Sequence, residues 1–326
     1  MVAVYGDVQT QDDYTHPLGP ESNFNESMYF NFFDQERRQG GFVRIGNRAN
    51  EGYAEVTFCY YLPTGEALFN YLRPQITTND AMDAGGMRFE ILEPLVKHRT
   101  TFDGGAVFLA DPSRMTDPSD AFRNNPKKRV QLEVSHEAVG PVYGSAGGSR
   151  PAAAENPDQE FGRAHYEQHM RCHGSITIEG ETTQLSATGL RDHSWGPRYW
   201  QAIHSYRWLT CTFGDDLGIM VSEITREQDG PRAQNGVVIR GEGFERIVKV
   251  DIDSEFSSGD RHHKRMSARL GLERGDELLL EGNVVGYIPL RNRRAGMITH
   301  IGEGMTEYRL GDRTALGISE YLDQVQ

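Results

Sequence analysis

The glycines of this chain limit its folding options more than any other feature. They number 36 in 326 residues, about 11 %, against the ~7 % typical of globular chains. They fall between short runs rich in β-branched and aromatic side chains. GGFVRIGN, YAEVTFCYYLPTG, RVQLEVS, GSITIEGE, YRWLTCTFGDDLGIMVSEI, NGVVIRG, FERIVKVDID and ELLLEGNVVGYIPL each read as strands bounded by turn residues. Several alternate cleanly: Ala54, Val56, Phe58 and Tyr60 share one strand face, and Val248, Val250 and Ile252 oppose Ile247, Lys249 and Asp251. No long segment sustains a 3.6-residue period with caps. Turn signals recur roughly every eight to twelve residues, the rhythm of sandwiches and barrels. The pattern predicts an all-β, antiparallel chain with few helices, and its two β-rich halves fit a paired barrel.

Four stretches break the rhythm. Residues 1–20 lack pattern and read as an arm. GPVYGSAGGSRPAAAENPD, residues 140–158, reads as a linker, and residues 111–128 as an irregular insert. Residues 226–234 and 257–265 read as hairpin loops, the second carrying an exposed His262-His263 pair.

Composition removes several function classes. Lys plus Arg is 34 against 47 Asp plus Glu, a formal net charge of −13. Such an excess repels phosphate backbones and anionic membranes, so neither nucleic acid nor a membrane surface is an expected partner. Its local basic runs are Lys127 to Arg129 and Arg261 to Arg265. No stretch approaches the ~18 apolar residues of a membrane helix, and the opening residues lack a basic and an apolar signal region. The three cysteines, Cys59, Cys172 and Cys211, are widely spaced. They form no disulfide framework and fit a cytoplasmic setting. Nucleotide-binding, zinc-protease and nucleophile-elbow motifs are missing from the sequence.

One decapeptide concentrates reactive chemistry: Arg191, Asp192, His193, Ser194, Trp195, Gly196, Pro197, Arg198, Tyr199 and Trp200. Its Gly-Pro pair predicts a bend that presents side chains rather than burying them in a ladder. An Asp beside a His moves protons near neutral pH. Trp195, Tyr199 and Trp200 offer electron-rich faces to apolar rings or a passing cation. Arg198 would keep Asp192 ionised or hold a substrate oxygen. The same residues also suit a plain turn pinned between two domains.

A second constellation precedes it. His165, His169, Cys172 and His173 have spacings reminiscent of zinc ligands. The following GSITIEGE is a strand, however, and period two puts His165, Glu167, His169, Arg171 and His173 on one face. Such a row does not wrap a tetrahedral ion, so no metal is expected. Glu167 and His169 are candidate acid–base partners, or members of a solvated face. After the decapeptide, His204, Tyr206 and Trp208 alternate as candidate ligand-lining residues or barrel core. Tyr29, Phe30, Phe32, Phe58 and Tyr60 read as core, and Glu303 and Glu320 receive no role.

The stretch RDHSWGPR, preceded by Gly189 and followed by aromatics, resembles the signature of the two-domain lipocalin-like superfamily. That group includes carotenoid hydratase (hydroxyneurosporene synthase), tocopherol cyclase, pericyclic cyclases and many bacterial relatives. The opening ESMYFNFFD…GGFVRIGNRANEG and the closing GISEYL resemble a bacterial branch, and the likeness spans about Asn23 to Leu322. It implies two calyx-like domains with an apolar pocket near their junction: an arm at 1–22, a first lipocalin-like domain at 23–190 and a second at 191–326. In the hydratase branch the motif carboxylate protonates an alkene, which maps onto Asp192, with His193 and Trp195 at neighbouring motif positions. Ser194 departs from many hydratases, so the reaction does not transfer. The expected activity is cofactor-independent acid–base chemistry (hydration or dehydration, isomerisation or cyclisation) on an apolar terpenoid-, steroid- or polycyclic-like small molecule in an inter-domain or calyx pocket. The alternatives are a lyase on phenolic aromatics and a non-catalytic carrier. Exposed strand edges would allow a homodimer.

Overall fold

The strand rhythm is realised almost throughout a computed structural model that describes residues 2–147, 160–257, 261–294 and 296–325. The first body contains β1 (Val4–Gly6), β2 (Phe24–Asp34), β3 (Gln39–Arg48), β4 (Tyr53–Tyr61), β5 (Ala67–Leu72) and β6 (Asp83–Ala84). It continues with β7 (Met87–Glu93), β8 (Lys97–Leu109), β9 (Lys127–Ala138), β10 (Val142–Ser145), β11 (Ala164–Ile178) and β12 (Glu181–Pro197). The second contains β13 (Ser205–Thr212), β14 (Leu217–Thr225), β15 (Arg232–Arg240) and β16 (Gly243–Phe256). It is completed by β17 (His263–Leu272), β18 (Glu277–Arg294), β19 (Met297–Leu310) and β20 (Arg313–Val325).

Strands β13 to β20 close into an eight-stranded antiparallel barrel. In the first body β11, β12, β2, β3, β4, β5 and β8 follow one another, and β9 pairs with both β8 and β11, so that sheet also runs round a ring. Each body fills its own interior. Phe30, Val43, Phe58 and Phe102 pack inside the first, and Leu209, Ile219, Leu270 and Tyr321 inside the second. A third apolar cluster joins them: Tyr29, Phe33, Phe42 and Tyr61 of the first sheet meet Trp208, Met305, Leu316 and Ile318 of the barrel. This explains why all eleven residues of β2 are buried. An antiparallel strand ordinarily keeps one face in water, but here the second body covers the outer face. No helix among the described residues is long and apolar enough to cross a membrane.

Several local expectations change. The 111–128 insert folds as a 3-10 turn, Pro112–Thr116, and a helix α1, Pro118–Asn124. Asp111 and Asp117 cap them, Asp117 Oδ1 accepting from the backbone N–H groups of Ser119 and Asp120 at 3.1 and 3.3 Å. Each capping Asp precedes a Pro, a start signal present in the sequence. Within the 140–158 stretch, Val142–Ser145 forms β10, parallel to β1, and 148–158 lie outside the described residues. The 226–234 loop is shorter than read, with β15 beginning at Arg232. Residues 258–260 of the 257–265 loop lie outside the description. His263 is not exposed: it starts β17 inside the barrel, its Nε2 2.8 Å from Ser319 Oγ and its ring stacked on Tyr321 at 3.9 Å.

The Gly-Pro pair does not make a bend. Residues 191–197 stay in the ladder of β12, Gly196 opposite Asn25 and Pro197 opposite Phe24 on β2. Gly196 has φ 110° and a Cβ there would lie 2.6 Å from the Arg163 Cβ, so a glycine is needed where the strand ends. Proline, with no N–H to donate, sits at the strand terminus, where a ladder tolerates it. Since Arg191–Pro197 pair within the first sheet, the chain passes to the barrel through residues 198–204.

A candidate active site between the two sheets

Strands β11 and β12 form a long hairpin turned by Glu179 and Gly180, with φ of 51° and 91°, the paired left-handed conformation of a tight hairpin turn. The register sets the two sequence constellations side by side: His165 opposite Ser194, Tyr166 opposite His193, Glu167 opposite Asp192, Gln168 opposite Arg191. Alternation then sends neighbours to opposite faces. His165, Glu167, Asp192 and Ser194 face the barrel, while Tyr166, Gln168, Arg191, His193 and Trp195 face the arm.

On the barrel side lies a cavity of about 470 Å³. The first sheet contributes Tyr29, Arg44, Glu55, His165, Glu167 and Asp192; the barrel contributes Tyr206, Trp208, Glu303 and Glu320. Trp200 and Arg198 enter from the passage between the bodies, and Met115, Pro118 and Phe122 from the capped insert. The cavity is walled by aromatics and carries carboxyl groups on both sides.

Those carboxyls are arranged unusually. Glu167 stands directly across from Asp192, and Glu303 directly across from Glu320 on β19 and β20. Like charges in cross-strand register destabilise a sheet, so each pair needs relief. On the first wall His165 supplies it: Nε2 is hydrogen-bonded to Asp192 and lies 3.5 Å from Glu167 Oε1. Its accessible surface, 45 % of the side chain, is on the cavity. Burial works against charge on both members of the His165–Asp192 couple. Their mutual attraction outweighs it, raising the His165 pKa and, with help from Arg198, holding Asp192 below the usual carboxylate range. Trp208 Nε1 donates to Glu167 Oε1 at 2.8 Å, while Oε2 meets no partner among the described residues. Burial pushes Glu167 up to about 7, with His165 pulling down and Asp192 pushing further up. Burial raises Glu303 and Glu320 to about 8, the first opposed by Arg44 and the second reinforced by Asp192. Two ionised carboxylates, Asp192 and the arginine-paired Glu55, thus share a cavity with three carboxyls whose pKa values are raised to neutrality or above.

Six of the residues singled out from sequence line this cavity: Asp192, Glu167, Arg198, Trp200, Tyr206 and Trp208. Five do not, each for a local reason. His193 is on the other face, its Nε2 2.9 Å from Glu26 Oε1 and its Nδ1 3.1 Å from Tyr166 Oη. Trp195 stacks on His16 of the arm at 3.9 Å. His169 shares the face of Glu167 but is covered by the barrel, with Nδ1 2.7 Å from Thr212 Oγ1 and its pKa lowered by burial to about 3. Tyr199 lies under Arg294, 5.4 Å from ring centroid to guanidinium. His204 is held by backbone bonds to Thr225 and Gln324. Asp192 and His193 therefore point to opposite faces of β12, and His165 is the hydrogen-bonded partner of Asp192. The zinc-like spacing also disperses, with Cys172 Sγ turning inward to His136 Nδ1 at 3.2 Å. Two other trios bring ligand atoms within 4.8 Å of one another: His165, Glu167 and Asp192, and His16, Glu26 and His193. In the second, Glu26 is hydrogen-bonded to both histidines; in the first, His165 is hydrogen-bonded to Asp192 while Glu167 Oε1 accepts from Trp208. Glu303 and Glu320 had a signal in the sequence: each interrupts an apolar alternation, Ile301-x-Glu303-x-Met305 and Ile318-x-Glu320-x-Leu322.

The arm-side face has the opposite character. Asp13 is bound by Arg191 Nη1 at 2.6 Å, by the Tyr166 hydroxyl at 2.9 Å and by His98 Nε2 at 2.9 Å. Glu26 accepts from the His16 backbone N–H and from Asn79, and lies 2.7 Å from His16 Nδ1. Here each carboxylate meets donors and cations, and the strap of residues 7–16 is fastened to the sheet.

Comparison with solved structures finds the same fold at low identity. The chain is similar to CghA (TM-score 0.52, 10 % identity, covering 94 % of this chain and 89 % of that one). It is also similar to an AttH candidate from Nitrosomonas europaea (TM-score 0.58, 12 % identity, 100 % and 98 % covered). A third likeness is to kievitone hydratase from Nectria haematococca (TM-score 0.51, 10 % identity, 100 % and 97 % covered). No curated protein matches the sequence. A family described as "Domain of unknown function (DUF7064)" matches residues 9–325. The chain belongs to that family.

Proposed function

We propose that this protein is an enzyme that moves protons on an apolar or aromatic small molecule held between its two sheets, adding or removing water or isomerising or cyclising the carbon frame. One observation carries the reading: two cross-strand carboxyl pairs, Glu167 with Asp192 and Glu303 with Glu320, one on each wall of the same aromatic cavity. A carrier has no use for paired buried carboxyls, which lower its stability whenever both ionise. The name of one structural relative, kievitone hydratase, supports the same class.

The roles differ from those the motif resemblance implies. Asp192, kept ionised beside His165, is the base or the group that orients His165. Glu167, at about 7, is poised to give or take a proton near neutral pH, where general acid–base catalysis is most effective. Glu303 and Glu320 present protonated carboxyls from the barrel. Trp200, Trp208 and Tyr206 offer π faces to a developing cation.

The test is incubation of the purified chain with a panel of terpenoids and phenolic dimers, followed by mass spectrometry. A gain or loss of water, or an isomer of unchanged mass, supports the reading. Released formaldehyde would instead mark a phenolic lyase, and a co-purified unaltered lipid with no turnover a carrier. Asp192→Asn and Glu167→Gln should each reduce turnover by ~10²–10⁴-fold in protein that still folds.

A further inference from the structure

Proton transfer accounts for the carboxyls of the cavity but not for its arginines. In a chain of net charge −13, the lining includes Arg44, Arg73, Arg198, Arg226, Arg291 and Arg293, and no lysine among the described residues. Two of them converge on one indole: the Arg44 and Arg198 guanidinium carbons lie 5.9 and 5.5 Å from the Trp200 ring centroid. Arg198 also lies 4.5 Å from the Phe161 ring, which packs edge-on against Trp200 at 5.5 Å.

Compensation for the two cations at Trp200 is thin. A single carboxylate, Glu55, serves both Arg44 and Arg73, at 3.3 and 3.5 Å. Among the described residues Arg198 has no carboxylate within ion-pair distance; its Nη2 donates to Ser194 Oγ at 2.7 Å, and its Nε and the Nη2 of Arg44 find no acceptor. Asp192, the nearest acid in sequence, is taken by His165. Burial and the neighbouring Arg44 lower the Arg198 pKa to about 10, as expected of cations crowded together away from water. A guanidinium is the side chain best suited to gripping a planar oxyanion, and aromatic faces beside it suit a flat skeleton.

We propose that the ligand is an aromatic or polycyclic anion whose oxyanion, a carboxylate or phenolate, sits at Arg198 and Arg44 while its rings lie along Trp200 and Trp208. This rests on the cavity being the reaction site, and adds that its substrate is amphipathic with one acidic handle. The anion holds the molecule by one end and leaves its apolar part beside the two carboxyl pairs.

Two fluorescent probes with one ring system test this directly: 8-anilinonaphthalene-1-sulfonate, which carries an anion, and N-phenyl-1-naphthylamine, which does not. In equilibrium titrations of the full chain, the sulfonate should bind at least ~10-fold more tightly, the equivalent of one pairing at ~1.4 kcal/mol. Arg198→Gln should remove most of that preference and Arg44→Gln part of it, with the neutral probe bound within about twofold of wild type as the internal control for folding. Glu55→Gln, which frees Arg44 and Arg73, should increase the preference. Equal affinity for the two probes, or a preference unmoved by all three substitutions, overturns the proposal and leaves the acid–base reading standing. Failure of both probes to bind overturns the two together. An intact anion preference in a protein that transforms nothing on the panel removes only the acid–base reading.

Discussion

The two faces of the β11–β12 hairpin are made from one ribbon of alternating residues, yet they obey different rules. Toward the arm, Arg191 and His98 meet Asp13, and His16 and His193 meet Glu26, each carboxylate held by hydrogen-bonding partners in packed surroundings. Toward the barrel, Glu167 opposes Asp192 beside an open volume, and the far wall repeats the arrangement with Glu303 and Glu320. A chain selected for stability alone would build the first face twice. On the proposed function, the second face is where stability gives way to chemistry.

This contrast is open to attack by substitution. The largest effect expected is on catalysis, where Asp192→Asn lowers turnover by ~10²–10⁴-fold with little change in the urea midpoint. On the arm side the readouts exchange. Arg191→Met strands the Asp13 carboxylate in a buried site and should cost ~3–5 kcal/mol of stability, measured by urea unfolding followed by tryptophan emission. If Asp192→Asn unfolded the protein as readily as Arg191→Met, the division between the faces would be lost.

The faces should also respond to pH with opposite sign. Asp13 and Glu26 have pKa values below their unfolded ones. The stability they contribute is present above about pH 4.5, the ordinary glutamate value, and is lost as pH falls through the folded pKa values. Glu303 and Glu320 are raised to about 8. Their contribution is intact below the unfolded value of 4.5 and is lost as pH rises through about 8. Thermal stability should therefore be greatest at roughly pH 5 and decline toward pH 8. Glu303→Gln should flatten the alkaline decline, raising the melting temperature at pH 8 by a few degrees but not at pH 5. An unchanged slope in that variant would mean that Glu303 is ionised in the folded protein. The smallest effect belongs to the insert over the cavity: Asp117→Ala removes the cap of α1 and should cost ~1 kcal/mol, with faster amide exchange confined to residues 118–124.

Much of this was legible before any coordinates. Strand alternation located β3, β4, β9 and the β13–β14 hairpin within a few residues, and the density of the decapeptide marked a strand that borders the cavity. What misled was treating adjacency in sequence as adjacency in space: Asp192 and His193 are neighbours by peptide bond and therefore point apart in a strand. His165 and Asp192, 27 positions apart, are the true couple. The Gly-Pro pair was read as a bend because proline usually interrupts a ladder, whereas at a strand end it interrupts nothing. The Asp-Pro caps of the insert went unread because the helix they start is only seven residues long, too short to show a period.

Local sequence decides which residues share a strand face, since backbone pleating is a property of neighbouring residues alone. That was enough to establish an all-β chain and its main turns. It did not decide which face meets solvent, core or a second sheet, because that depends on which apolar surfaces bury one another across hundreds of residues. Only the packing of the barrel against the outer face of the first ring brought Glu303 and Glu320 into the same cavity as Asp192, covered His169, and turned an aromatic wall into a cavity. The reason is that apolar burial has no direction along the chain, so the contents of an interface between two sheets are settled by their mutual fit.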